Sequence, residues 1–226
     1  MKERKKMKFC LIRNEIADLN AEPVLKNYSL SQLKRATDIL IIDDDPFTYE
    51  DALKKNEFMI DYKSDIQSLK EVEAYSIILC DIMGVGKFLQ SQYEGAYLVQ
   101  QIKEKYPYKT VIIYSGNQFS TAYQEFLNYA DHTMQKGATL EKWNSLLTQI
   151  VKDGADPVRQ WTKTRDALLD AGLSIVEVAK LEDKYVRAIK NSSYESLSKL
   201  AENTGAPYKH IIVELLSSTI AKLIKG

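Results

Sequence analysis

Three short apolar runs constrain this chain more than any other feature: ILII at 39–42, IILC at 77–80 and VIIY at 111–114. Each is continuous rather than alternating and rich in β-branched residues. Such runs suit strands covered on both faces, as in a parallel sheet, because an alternating pattern would leave one face for water. The segments between them have helical spacing. Ala96, Leu98, Val99, Ile102 and Tyr106 mark one helix, Tyr123, Phe126 and Leu127 another, and Leu140, Trp143, Leu146, Leu147 and Ile150 a third. Strands and helices in alternation predict a doubly wound α/β domain.

Each run stops at a polar residue. ILII meets Asp43, with Asp44 and Asp45 behind it; IILC meets Asp81; VIIY meets Ser115. These steps of 38 and 34 residues fit one strand-helix-strand unit each. Parallel strands bring their carboxyl ends to one sheet edge, where ligand sites of open α/β sheets form. Asp43, Asp44, Asp81 and Ser115 are therefore expected to converge. Carboxylates gathered in this way repel unless a cation lies among them, and hard oxygen donors suit Mg²⁺. Taken alone, Asp-Asp-Asp-Pro also suits a turn or a helix N-cap. The agreement of three strand ends is what favours a site. HTMQ at 132–135 is a poor strand by propensity. If it is the fifth strand, Lys136 joins the same edge.

Together these positions resemble a response-regulator receiver domain: an acidic pair after the first strand, a lone Asp after the third, a hydroxyl after the fourth and a Lys after the fifth. The resemblance covers residues 38–152, half the chain. It implies a flavodoxin-like doubly wound five-stranded parallel sheet, with Asp81 as phosphoacceptor. Asp43, Asp44, Asp81 and the Met83 carbonyl would hold Mg²⁺, and Ser115 and Lys136 would contact the phosphoryl group. The implied partner is a sensor histidine kinase or a phosphotransfer protein. The protein would catalyse only its own phosphotransfer and dephosphorylation, and so would not be an enzyme in the usual sense.

The chain also departs from the family pattern. The loop after Asp81, running through MGVGKFLQSQYEG, is about six residues longer than usual and lacks the usual Pro, so it could cover the site or dock a partner. Gly137 follows the Lys where the family has Pro. Thr133 replaces the aromatic switch residue, which argues against signalling through an aromatic rotamer there. Met83 is an apolar cover expected to slow hydrolysis of a phosphoryl group on Asp81. A Mg²⁺-dependent phosphatase of similar fold is the alternative from another class. Those enzymes use an Asp-x-Asp motif, and Asp81-Ile82-Met83 lacks the second acid that would serve as general acid.

Residues 1–37 read as an N-terminal extension with helical spacing. VKDGADP at 151–157 reads as a break, with Pro157 suited to the first turn of a new helix. From 155 to 226 everything has helical spacing, which predicts a small all-helical C-terminal domain. Its expected role is association, as a homodimer surface or with another protein. The stretch 197–216 faintly resembles a helix-turn-helix, and a DNA-binding transcriptional regulator is the rival output. Against it, residues 155–226 carry 11 Lys/Arg and 9 Asp/Glu, whereas a DNA reader usually shows a basic stripe. The whole chain has 31 basic and 31 acidic residues and so names no charged partner. Cys10 and Cys80 form no disulfide framework, which points to a reducing cytosol. FCLI near the start is too short for a signal sequence, and no segment has the length of a membrane span. The expectation is a soluble cytoplasmic protein without a membrane partner.

Overall fold

The structure, a computed structural model, describes residues 14–19, 26–116 and 123–226. Its first half alternates helix and strand, except that a short 3-10 turn (Leu69–Val72) joins β2 to β3: α1 (Leu30–Arg35), β1 (Asp38–Ile42), α2 (Glu50–Lys55), β2 (Met59–Lys63), β3 (Ile77–Asp81), α3 (Glu94–Lys105), β4 (Thr110–Ser115), α4 (Gln124–Leu127), β5 (His132–Gln135) and α5 (Leu140–Ala155). The remainder is helical: α6 (Pro157–Asp170), α7 (Ile175–Lys190), α8 (Tyr194–Glu202), α9 (Lys209–Leu216) and α10 (Thr219–Lys225). No helix among the described residues is long and apolar enough to cross a membrane.

The five strands form one parallel sheet in the order β2-β1-β3-β4-β5. That is the flavodoxin-like order, with its topological switch point between β1 and β3. Period-two alternation divides the apolar runs between two layers. Ile39, Ile41, Leu79, Ile112 and Tyr114 face α1, α2 and α5, where Leu33, Leu53, Trp143 and Leu147 close the core. Leu40, Ile42, Ile78, Cys80 and Ile113 face the other way, onto Leu98, Val99 and Ile102 of α3 and Phe126 of α4. Both faces are covered, which is why the runs are continuous. β2, for which the sequence offers no such run, is an edge strand with Met59 exposed. β5 forms despite its weak propensity because β4 supplies a complete hydrogen-bonding partner from Ile112 to Ser115.

The C-terminal helices enclose a core of their own around Trp161, Tyr185, Leu197, Ile212 and Ile220. The Trp161 and Tyr185 rings stack at 4.9 Å. Ile16 and Leu19 join this core from the far end of the chain. There the Ile16 N–H donates to Glu182 at 2.9 Å and the Asn14 amide donates to Asp183 at 2.8 Å. Cys10 and the basic KERKK segment lie outside the described residues. The expected break at 151–157 is narrower than its Gly and Asp suggest. α5 continues through Gly154 to Ala155, and the Asp156 carboxylate then caps α6 by accepting the Val158 and Arg159 N–H groups. Gly154 lies against Thr219 of α10, whose hydroxyl is 3.4 Å from where a Cβ would project, an ordinary contact distance.

The helical module docks on the amino edge of the sheet. The Thr37 and Thr219 hydroxyls share a buried hydrogen bond of 2.8 Å, Lys222 pairs with Asp38, and Leu223 packs on the α1/α5 layer. Thr37 and Asp38 stand at the start of β1, so among the described residues the helical module sits at the end of the sheet opposite the carboxyl edge.

Candidate functional site

At the carboxyl edge the chain gathers its acids. Asp43 directly follows β1 and is only 2% exposed. Its Oδ1 accepts the Asp45 N–H at 2.9 Å and the Lys136 ammonium at 3.1 Å. Its Oδ2 accepts the Tyr114 hydroxyl at 2.7 Å, and its backbone carbonyl accepts the Tyr62 hydroxyl at 2.6 Å. Asp81 ends β3, in register with Tyr114, and is 5% exposed. Its Oδ1 accepts the Ile82 N–H at 2.8 Å and its Oδ2 accepts Lys136 at 2.6 Å. Asp44 is exposed at the mouth. One oxygen from each of Asp43, Asp44 and Asp81 lies within 4.8 Å of the other two.

Ser115 is the last residue of β4 and is buried. The Lys136 N–H donates to the Ser115 carbonyl at 2.8 Å. This extends the β4–β5 pairing by one residue and brings the Lys136 side chain to the acids. With Gly137 next, the turn is held by the Ala138 N–H donating to the Gln135 carbonyl at 2.9 Å. Asp43, Asp44, Asp81, Ser115 and Lys136 are thus brought to one edge. Met83 lies in the loop beyond Asp81 and is 54% exposed.

Three carboxylates and one ammonium leave a formal charge of −2. Burial pushes the Asp81 carboxyl up, and the hydrogen bond and charge of Lys136 pull it only partly back. Burial draws Lys136 down, yet the hydrogen bonds to Asp81 and Asp43 more than offset this and leave it raised. The raised carboxyl describes a weak ion pair, whereas the raised ammonium describes a strong one. Exposure reconciles them: the Lys136 side chain is 29% exposed and keeps water, whereas that of Asp81 is 7% exposed and does not. The Tyr114 hydroxyl is pushed far up, first by burial and then by the charge of Asp43, so it remains a donor. The donors at the mouth are carboxylate oxygens, the chemistry of a hard divalent cation such as Mg²⁺. The nearby Cys80 does not compete. Its buried thiol contacts the Asp81 carbonyl at 3.1 Å, and burial pushes its ionisation well up.

The long loop after β3 is tied to the body of the protein. The Asp65 carboxylate accepts the Gly86 N–H at 2.6 Å and the Lys87 N–H at 3.2 Å, and Val85 is buried in the α3 layer. A cavity of about 220 Å³ beside Lys136 is lined by Asp43, Phe47, Tyr49 and Tyr114. Another, of about 150 Å³, lies at the opposite sheet edge between the two modules, away from the carboxylates.

Sequence reasoning does not single out Tyr114, Tyr62 or Asp65. Tyr114 reads there as the apolar end of VIIY, and only alternation along β4 turns its hydroxyl toward Asp43.

No family model matches the chain, and no curated protein matches it. The solved structures to which it is similar include receiver domains. A response regulator from Thermotoga maritima is 17% identical with a TM-score of 0.42, covering 51% of this chain and 97% of its own. The receiver domain of NtrX from Brucella abortus is 18% identical with a TM-score of 0.43, over 50% and 98%. A CheY-like receiver domain protein from Methanospirillum hungatei is 20% identical with a TM-score of 0.40, over 52% and 94%. The sheet has the flavodoxin-like order, and the helical C-terminal region is additional to it.

Proposed function

We propose that this protein is a phosphorelay response regulator that accepts a phosphoryl group on Asp81 from a phosphohistidine of a sensor kinase or phosphotransfer protein. One observation carries the reading: Lys136 bridges Asp81 and Asp43 at 2.6 and 3.1 Å, at the mouth formed with Asp44. A core packing motif would not need four charged groups at one open sheet edge.

The chemistry follows from the groups present. An Asp81 oxygen attacks phosphorus; the phosphorus–nitrogen bond of the phosphohistidine breaks, and its electron pair returns to the imidazole. The product is an acyl phosphate on Asp81. Asp43, Asp44, Asp81 and the Met83 carbonyl would hold Mg²⁺, which when bound neutralises charge between carboxylate and phosphoryl group and aligns them. Lys136 then exchanges its bond to the Asp81 carboxylate for a charge-assisted bond to a phosphoryl oxygen. Ser115 supplies a hydroxyl to another oxygen. Moving Lys136 and Ser115 changes the β4–β5 end, and β5 leads into α5, on which the helical module stands. That module is read as the output, through association with a partner or a second copy, in the cytoplasm.

The test is intact-mass measurement after incubation with acetyl phosphate and Mg²⁺. The wild type gains one phosphoryl group and Asp81→Asn gains none. An unmodified wild type, or equal modification of Asp81→Asn, overturns the reading.

A further inference from the structure

We propose that Glu94 is a positioning residue for the metal site: it holds the Gly84 N–H and so orients the Met83 carbonyl, in the same peptide plane, toward the acidic cluster. This rests on the reading of Asp43, Asp44 and Asp81 as metal-binding.

The Gly84 N–H donates to Glu94 Oε2 at 2.6 Å. A trans peptide is planar, with its C=O and N–H pointing in opposite directions, so gripping the Gly84 N–H sets the direction of the Met83 carbonyl. That peptide lies against the acids. Gly84 has φ +75°, and a Cβ added there would fall 2.0 Å from Asp44 Oδ2. Only glycine admits both the left-handed backbone and this approach.

Glu94 is itself held in an uncommon state, with φ 43° at a residue that is not glycine. Such backbone persists where the surroundings over-determine it, and such positions cluster at functional sites. Here the constraint is visible. The Gly95 N–H donates to the Ile82 carbonyl at 3.2 Å, and a Cβ on Gly95 would fall 2.0 Å from the Asp81 carbonyl oxygen. The Glu94–Gly95 backbone is therefore pressed onto the segment that carries Asp81 and Met83. Although Glu94 opens α3, its helix has no side-chain cap at that end; the Glu94 carboxylate instead reaches across to Gly84. A helix-dipole role alone would not require that aim. Outer partners of metal ligands commonly orient them in this way.

The experiment titrates the full chain with Mn²⁺ and counts free ion by electron paramagnetic resonance. Glu94→Gly is expected to bind about tenfold or more weakly. Its metal-free melting temperature should stay close to that of the wild type, because glycine accepts φ 43° without strain and this offsets the lost bond to the Gly84 N–H. Glu94→Gln keeps an acceptor for the Gly84 N–H and should stay within about threefold of wild type. Should Glu94→Gly not fold, Glu94→Ala takes its place in the series. Wild-type affinity in Glu94→Gly, with binding lost in Asp44→Asn, overturns the role of Glu94 and leaves the metal site standing. A Glu94→Gln variant as weak as Glu94→Gly overturns it too, because the effect would then be one of charge rather than orientation. No Mn²⁺ uptake by the wild type would remove the metal reading and this proposal together.

Discussion

Lys136 and Asp81 are 55 residues apart in the chain and 2.6 Å apart in space, and the pair is unequal: the carboxylate is buried while the ammonium keeps water. Burial therefore dominates at Asp81 and raises its carboxyl above the ordinary value of 3.8. A raised acid holds its proton more tightly in the folded state. Its contribution to stability is present below the unfolded value and is lost as pH rises through the folded one. In metal-free buffer Asp81→Asn should melt with the wild type near pH 3.5 and above it at pH 7. Melting curves at the two pH values check this. An Asp81→Asn protein less stable than the wild type at pH 7 would show that the ion pair outweighs burial.

Tyr114→Phe should keep the packing of β4 while leaving Asp43 Oδ2 without its donor. A buried charged acceptor deprived of a partner costs about 1–3 kcal/mol. Urea unfolding of the metal-free protein should record a loss in that range. The Phe47 and Trp143 rings, at 5.6 Å from the Tyr114 ring, are expected to hold position.

Asp65→Ala orphans the Gly86 and Lys87 N–H groups and should release the loop after β3 without unfolding the sheet. Lys87 is exposed. Local opening made easier by about 1–3 kcal/mol raises the open population about fivefold or more. Limited trypsin digestion should then cut after Lys87 faster by a similar factor. An unchanged cleavage rate would mean that other contacts hold the loop.

Tyr185→Phe probes the second core. The Tyr185 hydroxyl donates to the Pro157 carbonyl at 2.8 Å in a buried setting where α6 begins. Losing it should cost about 1–3 kcal/mol. Because Thr37 and Thr219 join the two cores through a buried hydrogen bond, the loss should shift a single unfolding transition. Two resolved transitions in calorimetry, with only one displaced, would show that the modules unfold independently.

Much of the fold is legible in the chain because its signals are local or periodic. ILII, IILC and VIIY announce buried strands, and 3.6-residue spacing announces α3 and α5. The convergence of Asp43, Asp44, Asp81 and Ser115 follows from one geometric rule about parallel strands. Lys136 is harder to place, since HTMQ has little strand character and owes its pairing to β4. Residues that serve the site from other elements are not legible. Tyr114 looks apolar, and Asp65 and Glu94 look like ordinary surface acids.

The order of residues alone dictates the alternation of strand and helix and which polar residues close the strands, because burial on both faces demands continuous apolar runs. Three-dimensional packing was needed to turn Tyr114 to Asp43, to let Asp65 tie down a loop 21 residues away, and to seat the C-terminal helices on the amino edge of the sheet. Those outcomes depend on contacts between distant segments. No local pattern encodes them, since each partner lies on a segment distant in the chain.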